Sequence, residues 1–182
     1  SDFARLFFVL FFNKSQSEPI DAVIEKLAVL KIAPFMFENS TPHITLAIYD
    51  KMDCIKNKAR LTEFITRNKI DSVIFSHIGA FSSKRHGVFF APTVTTELLH
   101  FHRQFHDYFQ NHAVGSWDFY LPGNWIPHCT VGFDVPVSKI DQAFGICRKM
   151  NLPLEIGISS IGIMKFEPVQ EVYRIPVGKS VN

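Results

Sequence analysis

Two short segments of the chain set the same polar side chains at the same spacing: Pro42-His43-Ile44-Thr45-Leu46-Ala47-Ile48 and Pro127-His128-Cys129-Thr130-Val131-Gly132-Phe133. Each follows a proline, is apolar enough to be a strand, and runs on towards an aspartate, Asp50 or Asp134. In a strand alternate side chains share a face, so His and Thr lie together about 6.5 to 7 Å apart while Ile44, Leu46, Cys129 and Val131 turn the other way. Two such strands facing one another would wall a polar cleft. Imidazole titrates near pH 6.5, so one ring can be neutral while its partner is protonated. That pair can cleave a phosphodiester without a metal: one histidine takes a proton from the attacking water or hydroxyl, and the other protonates the leaving alkoxide. Thr45 and Thr130 can donate hydrogen bonds to the non-bridging phosphate oxygens, which hold charge through the transition state. A lone His-x-Thr is usually a half-buried strand histidine satisfied by a neighbour; a second copy with matching flanks changes that reading.

The flanks do match. Phe7-Phe8 corresponds to Phe89-Phe90, His43 to His128, Ser76-His77-Ile78-Gly79 to Ser159-Ser160-Ile161-Gly162 and Val88 to Val172, at offsets of about 82 to 85 residues. The near-constant offset predicts an internal duplication, with repeats over about 3–84 and 85–182 related by a pseudo-two-fold axis, so that both histidines face one cleft.

The elements that must position them follow from apolar periodicity. Strands are predicted at Arg5 to Phe12, at the two motifs, at Val73 to Phe81, at His86 to Ala91 and at Trp117 to Leu121, with Leu154 to Met164 and Glu171 to Val177 as a closing hairpin. Asn13 to Ser17 reads as a loop, and Pro19 as the first turn of a helix whose stripe is Ile20, Val23, Ile24, Leu27 and Leu30. Phe35 to Phe37 is a candidate short strand. Further helices are expected over Ile55 to Arg67, Thr95 to Gln110, and from Ser138 onwards. The expected class is α+β in a single domain spanning 1–182: two antiparallel sheets flanked by helices around a central cleft.

A chain of 182 residues that is 47% apolar, with 19 phenylalanines, can bury a substantial core. A net charge of +2 is too slight for a duplex-DNA binder, whose affinity rests on many neutralised phosphates, and still suits a short anionic substrate. Three cysteines with no Cys-x-x-Cys indicate neither a disulfide framework nor a zinc ribbon, and suggest reduced thiols in a cytoplasmic setting. The apolar Phe3 to Phe12 run is interrupted by Arg5 and is too short to span a bilayer, so no membrane association is expected. His102 and His106 have the i, i+4 spacing of helical metal ligands without an intervening acid, and are expected to be surface or core-edge histidines. The sequence defines no oligomeric state.

The paired Pro42-His43-Ile44-Thr45-Leu46 and Pro127-His128-Cys129-Thr130-Val131, with the opening Arg5-Leu6-Phe7-Phe8, resemble the two-histidine (2H) phosphoesterase superfamily. The resemblance covers almost the whole chain and is nearest to the RNA 2',3'-cyclic phosphodiesterases, the 2'-5' RNA ligase-like branch. It implies a bilobal pseudo-two-fold fold, no metal or other cofactor, and opening of 2',3'-cyclic phosphates on nucleotides or RNA ends. His43 and His128 would be catalytic, the first as proton donor and the second as acceptor, with Thr45 and Thr130 binding phosphate. Cys129 stands where such motifs commonly have Ile, and by alternation it faces away from the cleft. A 2',5'-oligoadenylate phosphodiesterase, or a non-catalytic binder of nucleotides or RNA ends, would use the same scaffold. Trp125 and Tyr120 are candidate base platforms, while Arg5 and the Lys84-Arg85 turn are candidate anion guides.

Overall fold

The computed structural model describes residues 3–33, 41–82, 86–166 and 169–177. Their order is β1 (Phe3–Phe12), α1 (Lys14–Val29), β2 (His43–Asp53), α2 (Cys54–Arg67), β3 (Ser72–Ala80), β4 (Val88–Pro92), α3 (Thr96–Phe109), β5 (Val114–Ser116), β6 (Cys129–Gly132), α4 (Ile140–Cys147), β7 (Leu154–Lys165) and β8 (Gln170–Pro176). Every strand pair is antiparallel. One sheet runs β5-β2-β1 to the C-terminal part of β7, whose other edge holds β8; the second runs β6-β4-β3 to the N-terminal part of β7. The twelve-residue β7 thus belongs to both sheets and holds the two lobes together.

The helices cover the sheets crosswise. Helix α1 follows a strand of the first sheet but packs on β6 and α4, which belong to the second; α3 follows β4 of the second sheet and packs on β2. Helix α2 lies against β1, β2 and β8, and α4 against β4. The apolar stripes account for this. Leu98, Phe101, Phe105 and Phe109 of α3 are all buried, meeting Phe64 of α2 and Phe8 of β1. Exchange of helices between lobes makes one continuous core of the two, so neither sheet has a private one.

Two elements differ from the sequence reading. Helix α1 starts before Pro19, because the Asn13 carboxamide accepts from the backbone N–H of Ser15 and Gln16 and caps a helix that begins at Lys14. The polar run read as loop is its first turn. Trp117 to Leu121 is no strand: β5 ends at Ser116, and Asp118–Tyr120 form a 3-10 turn that swings the aromatic residues out of the sheet. The candidate strand at Phe35 to Phe37 lies outside the described residues.

The register also corrects two of the repeat landmarks. Val9 pairs with Thr45 on one side and Gly162 on the other; Phe89 pairs with Thr130 and Gly79. The residue equivalent to Phe89 is therefore Val9, two positions beyond the Phe7 suggested by composition. By the same pairing Val88, opposite Gly132, corresponds to Phe8, opposite Ala47, while Val172 sits in β8 and has no such partner. Gly79 and Gly162, and Thr45 and Thr130, hold like positions in the register. A two-residue error preserves the face of every side chain, so the motif's geometry survives it.

Candidate active site

The two His-x-Thr segments fold into matching local structures. His43 opens β2 and His128 immediately precedes β6. In each copy one extra residue follows the threonine: the pairing with the inner strand slips between Val9/Thr45 and Phe8/Ala47, and again between Phe89/Thr130 and Val88/Gly132. Leu46 and Val131 are the bulged residues. A bulge bends its strand and raises the local twist, which here falls directly beside the paired His and Thr of each lobe.

Both imidazoles are held the same way. His43 Nδ1 lies 2.8 Å from the Thr41 carbonyl, and His128 Nδ1 lies 2.7 Å from the Ile126 carbonyl. A carbonyl only accepts, so each neutral ring bears its proton on Nδ1 and leaves Nε2 as the basic nitrogen. Burial pushes both histidines below the usual imidazole range, opposed in each case by the backbone carbonyl, and positive charge on His43 lowers His128 further. The strands that carry them touch, β2 against β6, and the buried Cys129 thiol has the His43 backbone as its polar neighbour. That thiol is fully buried and pushed up to about 12, so Cys129 packs between the strands as the alternation predicted.

Aromatic rings brace the two histidines. Phe11, directly opposite His43 in the ladder, meets it edge-on at 6.3 Å; Phe81 and Phe89 meet His128 at 4.9 and 5.3 Å. Two of these braces, Phe11 and Phe89, need a glycine on the neighbouring strand. A Cβ on Gly162 would collide with the Phe11 ring, and one on Gly79 with Phe89. This gives the repeated glycine a physical role that its appearance in both copies only hinted at.

A third tie joins the lobes behind the cleft. Trp125 donates its indole N–H to the Thr45 carbonyl at 3.0 Å and stacks on His102 with ring centroids 3.8 Å apart and planes 1° from parallel. His102 and His106 both direct Nε2 at the carbonyl of Leu46, the bulged residue, at 3.0 and 2.9 Å. Burial, with the charge of His106 second, drives His102 down to about 3, and burial also lowers His106. The i, i+4 pair thus spends both Nε2 atoms on one backbone oxygen and sits inside the core, deeper than the edge position expected of it. Trp125, only 8% exposed, has one face covered by His102. It does not offer a free face to a base; it fastens the loop leading to His128 onto the strand of Thr45.

The other candidates divide. Tyr120 lines a cavity of about 540 Å³ beside His128, together with Phe81, Ser82, Trp117, Phe119 and Ile126. Phe119 is 78% exposed and Ile126 49%, so large apolar surface stands at its rim. Arg5 donates from Nε to Asp50 Oδ1 at 3.2 Å, the same oxygen that accepts the Trp117 indole N–H at 2.9 Å, and its guanidinium lies 5.3 Å from the Trp117 ring. With Nη2 also 3.2 Å from that oxygen, its fork is engaged in ordering the cavity wall. Lys84 and Arg85 lie outside the described residues. The places of Phe11 and Phe89 at the site escaped the sequence reading, because partnership across strands depends on register, and those of Trp117 and Phe119 because they lie at a turn and not in a strand.

A bilobal α+β fold with two like-held His-x-Thr strands at one cleft defines the class of two-histidine phosphoesterases. The family model of the 2'-5' RNA ligase superfamily matches residues 16–169. The chain belongs to that superfamily. Among solved structures, Escherichia coli LigT in apo form is similar at a TM-score of 0.66 and 13% identity, over 98% of this chain and 100% of that one. LigT complexed with 3'-AMP gives 0.64 at 13% identity over the same shares. Kluyveromyces marxianus Usb1 with uridine monophosphate gives 0.51 at 7% identity, over 97% and 98%. No curated protein matches the sequence significantly. At these identities the structural likeness establishes the fold. Among the described residues no helix is long and apolar enough to cross a membrane.

Proposed function

We propose that the protein is a metal-independent cyclic phosphodiesterase that opens 2',3'-cyclic phosphates of nucleotides or RNA ends. The reading rests on the matched pinning of His43 and His128, each fixed by Nδ1 on the carbonyl two residues before it, with Nε2 free for proton transfer. His128 removes a proton from water, the oxygen attacks phosphorus, and the P–O bond to O2' or O3' breaks as His43 protonates the departing alkoxide. Charge on either ring disfavours protonation of the other, so the pair works with a single proton, which the mechanism places on His43 with His128 as the base. The same order is that implied by the family resemblance. Thr45 and Thr130 donate to the non-bridging oxygens.

The cavity beside His128 suits a nucleobase, since exposed apolar and aromatic groups stack on a π-face without demanding a particular base. The LigT complex with 3'-AMP and the Usb1 complex with uridine monophosphate support the same class of ligand. The two repeats, about 3–84 and 85–182, act in this reading as one domain, each supplying one histidine and one threonine. Purified protein with EDTA present should hydrolyse a 2',3'-cyclic nucleotide to a single monophosphate. Loss of activity on chelation with recovery on adding a divalent ion would overturn the metal-free mechanism. Cleavage of 2',5'-oligoadenylate in preference would move the substrate class, and tight nucleotide binding with no turnover would make the cleft a binding site only.

A further inference from the structure

We propose that Arg174 is a second anion subsite of the cleft, selecting substrates that bear a further phosphate on the nucleoside held between the histidines. The proposal rests on the cyclic phosphodiesterase reading for the placement of the first phosphate. Tyr173 turns its hydroxyl to Thr62 of α2, 3.2 Å away, on the helix-covered side of the first sheet. Its neighbour Arg174 therefore faces the cleft. Arg174 pairs with Gly162, and the missing side chain there lets the Phe11 ring lie across the strand to meet the guanidinium, 3.7 Å from its centroid. Phe11 in turn meets His43 at 6.3 Å. His43, Phe11 and Arg174 thus form one row, which puts the guanidinium at most about 10 Å from the His43 ring.

Glu171 takes Nε of Arg174 at 2.6 Å and fixes the fork, leaving both Nη groups without a partner among the described residues. Those are the donors that match phosphate oxygens. Among the described residues no cation lines the cavity beside His128, whose walls are aromatic and apolar apart from Ser82. A ribose bears base, cyclic phosphate and 5'-phosphate on separate carbons. The aromatic cavity, the histidine pair and Arg174 offer one site for each.

Binding of product-like nucleotides tests this without relying on turnover. By calorimetry the wild type should bind adenosine 3',5'-bisphosphate about 10- to 100-fold more tightly than adenosine 3'-monophosphate, the range of charge-assisted hydrogen bonds. Arg174→Ala should bring the two within about twofold by losing only the bisphosphate advantage. Arg174→Lys, which keeps the charge and the fold should the alanine variant not be stable, should retain part of it. A wild type indifferent to the second phosphate, or an Arg174→Ala that weakens both nucleotides equally, would overturn the proposal and leave Arg174 as a cover for Phe11. The dinucleotide ApAp separates a 5'-monoester from the diester of an RNA strand: binding as tight as the bisphosphate assigns the subsite to RNA ends, and weaker binding to mononucleotides. Should cyclic nucleotides resist hydrolysis while the bisphosphate preference depends on Arg174, the catalytic reading falls and the subsite stands.

Discussion

The two halves of the cleft are alike in their machinery and unlike in their walls. Each has a histidine pinned by Nδ1, a threonine on the same face, a bulge one residue later and an aromatic brace resting on a glycine. Around His43, however, the brace is covered by a cation, whereas His128 opens on a cavity with Phe119 and Ile126 exposed at its rim. The matched motifs supply a symmetric pair of groups, while acid–base chemistry and substrate recognition both need asymmetry. The surroundings provide what the motif cannot.

The largest expected effects fall on what is shared. His43→Ala and His128→Ala should each lower turnover of a 2',3'-cyclic nucleotide by roughly 10² to 10⁴, the range for losing a positioned acid or base. The double variant should lose far less than the product of the two, because the pair acts as a unit. A His43→Ala protein with nearly full activity would show that one copy is structural. Next come the threonines: Thr45→Ala and Thr130→Ala should each raise the barrier by about 1.5 to 3 kcal/mol, as for a hydrogen bond to a charged group. Steady-state kinetics decide whether the two losses match. Thr45 is 9% exposed and Thr130 more open, so a loss at Thr130 alone would place the phosphate nearer the second lobe.

How far the sequence reveals this site depends on the range of the interaction involved. His43, Thr45, His128 and Thr130 share faces through the two-residue period of a strand, a local rule that holds whatever the partners are. The strand runs, the stripe of α3 and the burial of Cys129 are local in the same sense. The Asn13 cap was hidden because a polar run before a proline reads equally as loop or first turn. Trp125 and the pair His102 and His106 were misplaced for a different reason. Their partners are the carbonyls of Thr45 and Leu46, far away in sequence, and a backbone oxygen has no signature in the residue that bears it. Arg174 is likewise ordinary until the register sets it opposite a glycine.

The tie between lobes should show in stability before it shows in chemistry. Trp125→Phe can keep an aromatic ring against His102 but removes the N–H from the Thr45 carbonyl, leaving a buried acceptor unpaired. Chemical denaturation should register a loss of about 1 to 3 kcal/mol. If the tie also sets His128 against Thr45, kcat falls while the affinity for 3'-AMP is held. An unchanged denaturation midpoint would mean that water replaces the indole and that the stack alone holds the loop.

The smallest effect is the most discriminating, because it concerns the assignment of acid and base. Both histidines have their protonated forms disfavoured by burial, so the limbs of kcat/KM against pH, which report the free enzyme, should both lie on the acid side of about 6.5. A bound phosphate anion favours imidazolium, so the kcat profile should sit at higher pH than that of kcat/KM. The coupling is read one ring at a time by NMR titration. If the first proton goes to His43, His128 titrates against an existing positive charge, and His43→Gln removes that charge and raises the His128 pKa. The His43 ring gains its proton while His128 is still neutral, so His128→Gln leaves the His43 titration nearly where it was. The opposite pattern, with His43 rising in His128→Gln and His128 unmoved in His43→Gln, would exchange the roles and make the first histidine the base. Equal small rises in both would mean that the proton is shared between the rings, and that the substrate, through its fit to the aromatic cavity on one side and Arg174 on the other, decides which oxygen leaves.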